Sequence, residues 1–373
     1  MKKKVTIFLF SLLCFLGRNK AQGVDFQASL ADAFAKAKTE HKLVFVEYYN
    51  ENCHVCQRLK PLFSDSSLSV FYNKNFVNYQ LNTENIKAEN KEFMEKAGLK
   101  PNAVPMFFFF DEDKKFCHFA HPQHDVEELI LIGRNALDEN ERSANLEKKY
   151  NLGDRSIKTL YAYSNLAQLY GKDSLTNVLA DDLYNSFPKK NLGNKKSYLI
   201  TKSCVFTLEN GFFRFWITHL DQLKDFETEK KVGKEKLVLS NILGKTINSE
   251  AAKNWDLKKI DTIKSYIVLL DYSPTPDVFF WKREAQLLFE AQRNNDALAL
   301  CYRLTHQAKS DASSDFYYFS FFLDNLKEKK DLETLKPWID EKSRLANTPT
   351  DISNFQTLYL HYKEKISDNS NAK

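Results

Sequence analysis

The pattern of secondary structure predicted from the sequence changes once along the chain, near residue 140. From about residue 25 to residue 139, strand-like apolar segments alternate with amphipathic segments of helical spacing, in the order α-β-α-β-α-β-β-α. This alternation predicts an α/β fold whose sheet contains parallel strands and ends in an antiparallel hairpin. From residue 140 to about residue 366, almost only helical patterns occur, which predicts a second, all-helical domain.

The segments of the first region follow from their apolar spacing. Strands are predicted in "KLVFVEYY" (42–49), in "FVNYQLNT" (76–83) and on both sides of a turn at 111–114. Helices are predicted over 29–40, 57–75, 86–98 and 125–139. We therefore place a first domain at 23–139 and a helical, solenoid-like domain at 140–366. The polar end of the chain, 367–373, is predicted to be disordered.

The first residues, "MKKKVTIFLFSLLCFLGRNKAQG", predict export. Basic residues precede an apolar run at 5–17 that is too short to span a bilayer but has the length of a signal-peptide core. We expect a signal peptide at 1–21, cleaved near Ala21, and a periplasmic or otherwise extracytoplasmic protein. Disulfides form in such compartments. The net charge of +5 is small and spread along the chain, so the composition does not indicate nucleic-acid binding.

Two cysteines stand two residues apart after the first predicted strand, in "FVEYYNENCHVC". Cys53 falls where the strand passes into a helix, and free backbone N–H groups at a helix start lower the pKa of a thiol. Cys56, one turn later, would be more buried and close enough to form a disulfide with Cys53. This spacing predicts a nucleophilic thiol and a resolving thiol. A structural disulfide and two inert thiols remain the alternatives.

Together with three further residues, this pair makes residues 25–139 resemble the thioredoxin superfamily. Glu47 lies six residues before Cys53, where thioredoxins carry a buried acid. Pro61 lies five residues after Cys56, where the family has a proline that kinks the helix. Pro105, directly before the "MFFFF" strand, matches the cis-proline of the family. The resemblance is to secreted bacterial thioredoxin-like proteins, here followed by an α-helical domain.

The resemblance implies a thioredoxin-like fold, a central mixed sheet flanked by helices, and thiol–disulfide exchange with protein substrates. It implies that Glu47 moves protons for the resolving cysteine, and that Pro105 faces the disulfide and helps to bind extended polypeptide. The implied partners are protein thiols or disulfides and a redox donor or acceptor protein, with no cofactor and no metal. For Glu47 the alternative is a carboxylate satisfied by a polar neighbour, and for Pro105 an ordinary loop proline.

The motif also departs from the family pattern. Asn52 stands where the family has tryptophan, and His54 and Val55 replace the common Gly-Pro between the cysteines. The residues between the cysteines tune the stability of the thiolate and hence the redox potential. We therefore expect Asn52, His54 and Pro61 to modulate the centre, and the direction of electron transfer stays open.

A second group, "CHFAHPQH", offers metal ligands at Cys117, His118, His121 and His124. Cysteine and histidine bind zinc or copper, so a metal-handling protein is one alternative function. Side chains alternate along a strand, so Cys117 and His118 should face opposite sides of the sheet. We expect the four residues not to converge.

The helical domain contains one spacing typical of a tetratricopeptide repeat. Its apolar positions are Trp281, Ala285 and Leu288, then Ala297, Cys301 and Leu304. Glu284 departs from the pattern, which usually has leucine there. A helical-hairpin domain of this kind supports a further alternative, in which the protein is an extracytoplasmic binding or scaffold protein and the thioredoxin-like domain has little or no catalytic role.

Overall fold

The computed structural model describes residues 23–227, 233–307 and 310–371, the last four by their backbone alone. The predicted signal peptide therefore lies outside the described residues. The described part of the chain divides into two compact units, one that ends at Ser186 and one that begins at Phe187. No helix within the described ranges combines the length and the apolar character that a membrane crossing requires.

The first unit is built on a mixed sheet of four strands. These are β1 (Leu43–Tyr49), β2 (Phe76–Asn82), β3 (Met106–Phe110) and β4 (Phe116–Ala120), in the spatial order β2-β1-β3-β4. β1 pairs in parallel with β2 and antiparallel with β3, and β3 pairs antiparallel with β4. The predicted mixed sheet, with its parallel pair and its antiparallel hairpin, is confirmed.

Helices flank this sheet. They are α1 (Leu30–Glu40), α2 (His54–Leu59), α3 (Ser66–Asn75), α4 (Ala88–Lys96) and α5 (Val126–Leu137). The segment predicted as one helix over 57–75 is divided: α2 ends at Leu59, a 3₁₀ turn covers Lys60–Ser64, and α3 follows.

Two residues explain this division. Pro61 has no N–H group to continue the hydrogen bonding of α2, so an α-helix does not run through it. The Asp65 side chain accepts hydrogen bonds from the N–H groups of Ser67 (2.8 Å) and Leu68 (3.0 Å), which starts α3 afresh.

Both faces of the sheet are buried, which accounts for the unbroken "MFFFF" run of β3. On one face, Phe107 and Phe109 pack with Phe45 of β1 beneath α2, α3 and α5. On the other face, Phe110 contacts Phe34 of α1 and Phe93 of α4. The alternation along β1 places Phe45 and Glu47 on the face that lies beneath α2.

Both edges of the sheet are covered, which protects the unpaired backbone groups of an edge strand. At β2, the backbone N–H of Gln27 donates to the carbonyl of Asn78 at 2.8 Å, next to an isolated bridge from Phe26. At β4, Ser143 Oγ lies 3.4 Å from both the N–H and the carbonyl oxygen of Phe119. Segments outside the sheet thus close both edges.

The first unit continues beyond residue 139, where the sequence pattern changes. It includes α6 (Leu146–Asn151), α7 (Ile157–Leu169) and α8 (Asp173–Ser186). The compact unit that carries the sheet therefore ends 47 residues beyond residue 139, since 186 − 139 = 47.

Within its described residues, all regular secondary structure of the second unit is helical, as predicted for this half of the chain. Its helices are α9 (Lys195–Cys204), α10 (Gly211–Thr218), α11 (Lys234–Ile247), α12 (Leu257–Leu269), α13 (Trp281–Glu290), α14 (Asn294–Thr305), α15 (Ala312–Asn325), α16 (Lys329–Ser343) and α17 (Pro349–Asn371). The last helix includes most of the segment predicted as a disordered tail. There Ser367 Oγ donates to the carbonyl of Glu364 at 2.8 Å.

The apolar spacing noted in this half forms helical pairs. α13 and α14 make an antiparallel hairpin, and the side chains of Ala285, Ala297 and Cys301 are fully buried in its core. Glu284, the departure from the repeat pattern, is buried because its carboxylate binds the ammonium group of Lys264 on α12. Lys264 also binds the half-buried Asp277, so one cation serves two carboxylates.

Candidate functional site

Cys53 and Cys56 lie at the junction between β1 and α2. Cys53 is the N-terminal cap of α2, and its Sγ accepts a hydrogen bond from the backbone N–H of Cys56 at 3.2 Å. Both are free thiols, Cys53 partly exposed and Cys56 only 4% exposed. The predicted junction thus presents one thiol that solvent reaches and one that is covered.

The segment before α2 is held to the segment after β2 by polar side chains. The backbone N–H and the side-chain amide of Asn52 both donate to Glu84 Oε1, the N–H at 3.3 Å. The side chain of Asn82 donates to Glu51 Oε1 at 3.1 Å. These contacts fix the backbone directly before Cys53. Asn52, where the family pattern has tryptophan, therefore has a structural partner.

Pro105 lies beside the exposed thiol. The Val104–Pro105 peptide bond is cis, and the carbonyl oxygen of Val104 accepts a hydrogen bond from Cys53 Sγ at 3.7 Å. Pro105 is buried, Val104 is half-buried, and Ala103 before them is exposed. The structure thus brings together Cys53 and Pro105, which are far apart in the sequence.

Glu47 lies on β1, on the face covered by α2, and is only 2% exposed. Its Oε2 accepts a hydrogen bond from Gln80 Nε2 at 2.7 Å. Burial raises the pKa of Glu47 to about 7, although the Gln80 hydrogen bond and the charge of Lys60 act in the opposite direction. A carboxyl group with this pKa can both take up and release a proton near neutral pH.

Cys56 is close enough to Glu47 for the two groups to influence each other. Burial, together with the neighbouring Cys53 thiol and Glu47 carboxylate, raises the pKa of the Cys56 thiol to about 12. A buried thiol with this pKa stays protonated at neutral pH, so it reacts as a nucleophile only when a base takes its proton. The Glu47 carboxylate lies within electrostatic range of this thiol.

The remaining positions around the pair are on the surface. His54 begins α2 and is exposed, and Pro61 is exposed in the 3₁₀ turn that follows α2. His124 lies within electrostatic range of His54 and Arg58, and burial together with these two charges lowers the pKa of His124. The structure thus places His124, which the sequence groups with Cys117, near the start of α2.

Two other members of the histidine-rich segment, Cys117 and His118, are buried. Cys117 packs in the apolar core beneath α5. His118 is buried, and its Nδ1 accepts a hydrogen bond from the backbone N–H of Ser143 at 3.0 Å. Burial lowers the pKa of His118 to about 4, which keeps its ring neutral. Within the described ranges, no three histidine, cysteine or acidic side chains are grouped so that they could hold a metal ion.

Comparison with known proteins finds a family model that matches part of the chain. Residues 25–112 match a family model described as thioredoxin-like. Residues 25–112 are a thioredoxin-like domain. No curated protein matches the chain.

The thioredoxin-like domain is also similar to a solved structure. This is the solution structure of a "putative disulphide-isomerase" from Bacteroides thetaiotaomicron, with 29% sequence identity and a TM-score of 0.27. The match covers 31% of this chain and 94% of that chain.

Two residues of the site carry no signal in the sequence pattern. Gln80 and Glu84 contact Glu47 and Asn52, and each lies more than 30 positions away from its partner in the chain. The register of β1 with β2 could have indicated Gln80, because a parallel pair that starts at Leu43 and Phe76 places Glu47 beside Gln80. That register is not visible in the apolar pattern of either strand.

Proposed function

We propose that this protein is an exported thiol–disulfide oxidoreductase that exchanges disulfides with protein substrates through Cys53 and Cys56. One observation carries the proposal. The partly exposed Cys53 thiol accepts a hydrogen bond from the backbone N–H of the buried Cys56 at 3.2 Å and lies beside the carbonyl of Val104, which precedes a cis-proline. This is the arrangement that a nucleophilic and a resolving thiol require.

The reaction in the reducing direction has two steps. The Cys53 thiolate attacks one sulfur of the substrate disulfide, and the other sulfur leaves as a thiolate. Cys56 then attacks the Cys53 sulfur, the mixed disulfide breaks, and the second substrate sulfur leaves with its electron pair. The substrate gains two electrons, and the Cys53–Cys56 pair loses two and becomes a disulfide. A redox partner protein restores the dithiol, and the oxidising direction is the reverse.

Glu47 supplies the proton transfer for the second step. In this proposal its carboxylate accepts the proton of the Cys56 thiol as Cys56 attacks, and returns a proton when the reaction runs backwards. Support comes from its burial beneath α2, its electrostatic coupling to Cys56 and its pKa of about 7. Pro105 and the backbone of Val104 would contact the substrate chain next to its sulfur.

Export is part of the proposal, and it rests on the sequence of residues 1–21. An extracytoplasmic enzyme meets substrates that form disulfides, and a cytosolic one rarely does. The helical region would select the substrates, because paired helices such as α13 and α14 build surfaces on which a polypeptide can dock. In this proposal, binding of partners by the helical region serves the exchange reaction.

The test uses three variants of the processed protein. We expect the parent protein to reduce insulin in the presence of a dithiol, or to oxidise a reduced test protein. Cys53→Ser should abolish the activity, and Cys56→Ser should accumulate mixed disulfides with its substrates. Cys301→Ala, which removes a buried thiol of the second unit, should behave like the parent protein.

The redox potential of the pair decides the direction. A potential near that of thioredoxin, about −270 mV, indicates a reductant, and one nearer −120 mV indicates an oxidant. Absence of exchange in either direction, with no mixed disulfide on Cys53, would contradict the proposal. Protein partners still bound by such an inactive chain would favour the scaffold alternative.

A further inference from the structure

The sheet gives Glu47 one polar neighbour and one apolar neighbour. On β2 the residue opposite Glu47 is Gln80, and on β3 it is Phe107. These side chains lie on the same face of the sheet, beneath α2, because side chains alternate along each strand. Any hydrogen bond that orients the buried carboxyl group from within the sheet must therefore come from Gln80.

The hydrogen bond from Gln80 treats the two oxygens of Glu47 differently. Oε2 accepts Gln80 Nε2 at 2.7 Å, whereas Oε1 has no hydrogen bond to any residue that the structure describes. Glu47 is only 2% exposed and lies within electrostatic range of Cys56. One oxygen is thus held by the sheet, and the other is available for a proton.

The chemical nature of Gln80 matters as well. A side-chain amide keeps the same charge at every working pH, so Gln80 remains a donor to Oε2 throughout the titration of Glu47, and its bond is stronger to the carboxylate than to the neutral acid. A cation at this position would stabilise the carboxylate strongly, and an apolar residue would leave it unsupported. Gln80 therefore stabilises the Glu47 carboxylate less than a cation would and more than an apolar residue would.

We propose that Gln80 is a positioning residue for proton transfer, which holds Oε2 of Glu47 so that Oε1 carries the proton exchanged with Cys56. This rests on the proposed function. In the resolving step, the Cys56 proton moves to Oε1 as the Cys56 sulfur bonds to Cys53, and the leaving sulfur departs with its electron pair. Gln80 itself neither gains nor loses a proton in this step.

The test separates the two thiols by their kinetics. Reduced protein is mixed with dithiobis-nitrobenzoate, an aromatic disulfide that releases a coloured thiolate. The first thiolate reports the attack by Cys53, and the second reports the attack by Cys56 on the mixed disulfide. The rate of the second release is measured from pH 5 to pH 9 by stopped flow, and the first release serves as an internal control.

In the parent protein we expect the second rate to rise with a midpoint near pH 7, the pKa of Glu47. Gln80→Leu should move this midpoint up by about one pH unit, because a hydrogen bond to the charged form is lost. Gln80→Lys should move it down, because a cation favours the carboxylate. Gln356→Leu, at an exposed glutamine of α17, should leave it unchanged.

The outcomes distinguish the inference from the function on which it rests. Opposite movements in Gln80→Leu and Gln80→Lys support the positioning role, since simple damage to the fold would move both in one direction. Two normal releases with the same midpoint in both variants would overturn it. Failure of the parent protein to release the second thiolate would instead contradict the proposed function.

Discussion

Glu47 is a carboxylate whose surroundings oppose its usual charge. It is almost completely buried, and Gln80 supplies its one hydrogen bond from the described residues. Since burial disfavours the anion, the pKa of Glu47 is raised from 4.5 to about 7 in the folded protein. The folded state thus holds this proton more tightly than the unfolded chain does. Stability must therefore fall as pH rises through this interval.

Glu47→Gln should remove this loss of stability. Up to about 3 kcal/mol of unfolding free energy should be regained at pH 8, and little at pH 4.5, because 1.36 kcal/mol corresponds to each pH unit. All four tryptophans lie beyond residue 187, so their fluorescence follows the second unit. Hydrogen exchange of the β1 amides at both pH values follows the first unit instead.

Glu89→Gln, at an exposed carboxylate of α4, is the matched control. It should change the exchange of β1 by less than about 0.5 kcal/mol at either pH. An equal effect of Glu47→Gln at pH 4.5 and pH 8 would show that the carboxylate does not titrate in this interval.

The residues of the site differ in how far the sequence indicates them. Cys53, Cys56, Glu47 and Pro105 stand at spacings that the family resemblance makes recognisable, and the structure brings them together around the start of α2. Gln80 could not be predicted in this way. Its contact with Glu47 depends on the register between two strands, and a shift of one residue would turn it to the other face.

At the scale of elements, β4 is an edge strand whose outer side is closed by Ser143. Its hydroxyl lies 2.9 Å from His118 Nδ1 and near both backbone groups of Phe119. The neutral ring of His118 can accept these donors because burial lowers its pKa to about 4. The side chains that the sequence offered as metal ligands therefore include one that fixes the end of the sheet.

Ser143→Ala should loosen this edge. We expect a loss of about 1 kcal/mol of unfolding free energy from the first unit, the usual contribution of a buried hydrogen bond. Faster hydrogen exchange should appear in β4 and in the residues of 143–151, with β1 and β2 little changed. Ser353→Ala, an exposed serine of α17, should have no comparable effect. Unchanged exchange in β4 would contradict the role of Ser143.

The order of elements was predicted well because strand-like apolar segments identify β1 and β2, and helical spacing identifies α1, α4 and α5. The single helix predicted over 57–75 was wrong for a local reason. Pro61 and the capping side chain of Asp65 interrupt an apolar pattern that is otherwise continuous. The apolar pattern alone does not show that a missing N–H group ends one helix or that a capping side chain starts the next.

At the scale of the whole molecule, the chain combines a compact unit that contains the candidate redox site with a second, wholly helical unit. The sheet, both cysteines, Glu47 and Pro105 all belong to the first unit. Its core is formed by its own side chains, such as Phe45 and Leu129. In the proposed function, the chemistry of exchange therefore uses only residues of the first unit, and the second unit would act in the choice of substrate.

A chain that ends at Ser186 tests this division of labour. We expect it to release both thiolates from dithiobis-nitrobenzoate at rates within about twofold of the full chain, because every residue of the site is retained. In the Cys56→Ser background, the shortened chain should trap fewer proteins from an extracytoplasmic extract, since the helical surfaces are missing. Hydrogen exchange of β1 and β3 provides the control for folding. An unchanged set of trapped proteins, with both strands protected, would show that the thioredoxin-like unit selects its own substrates.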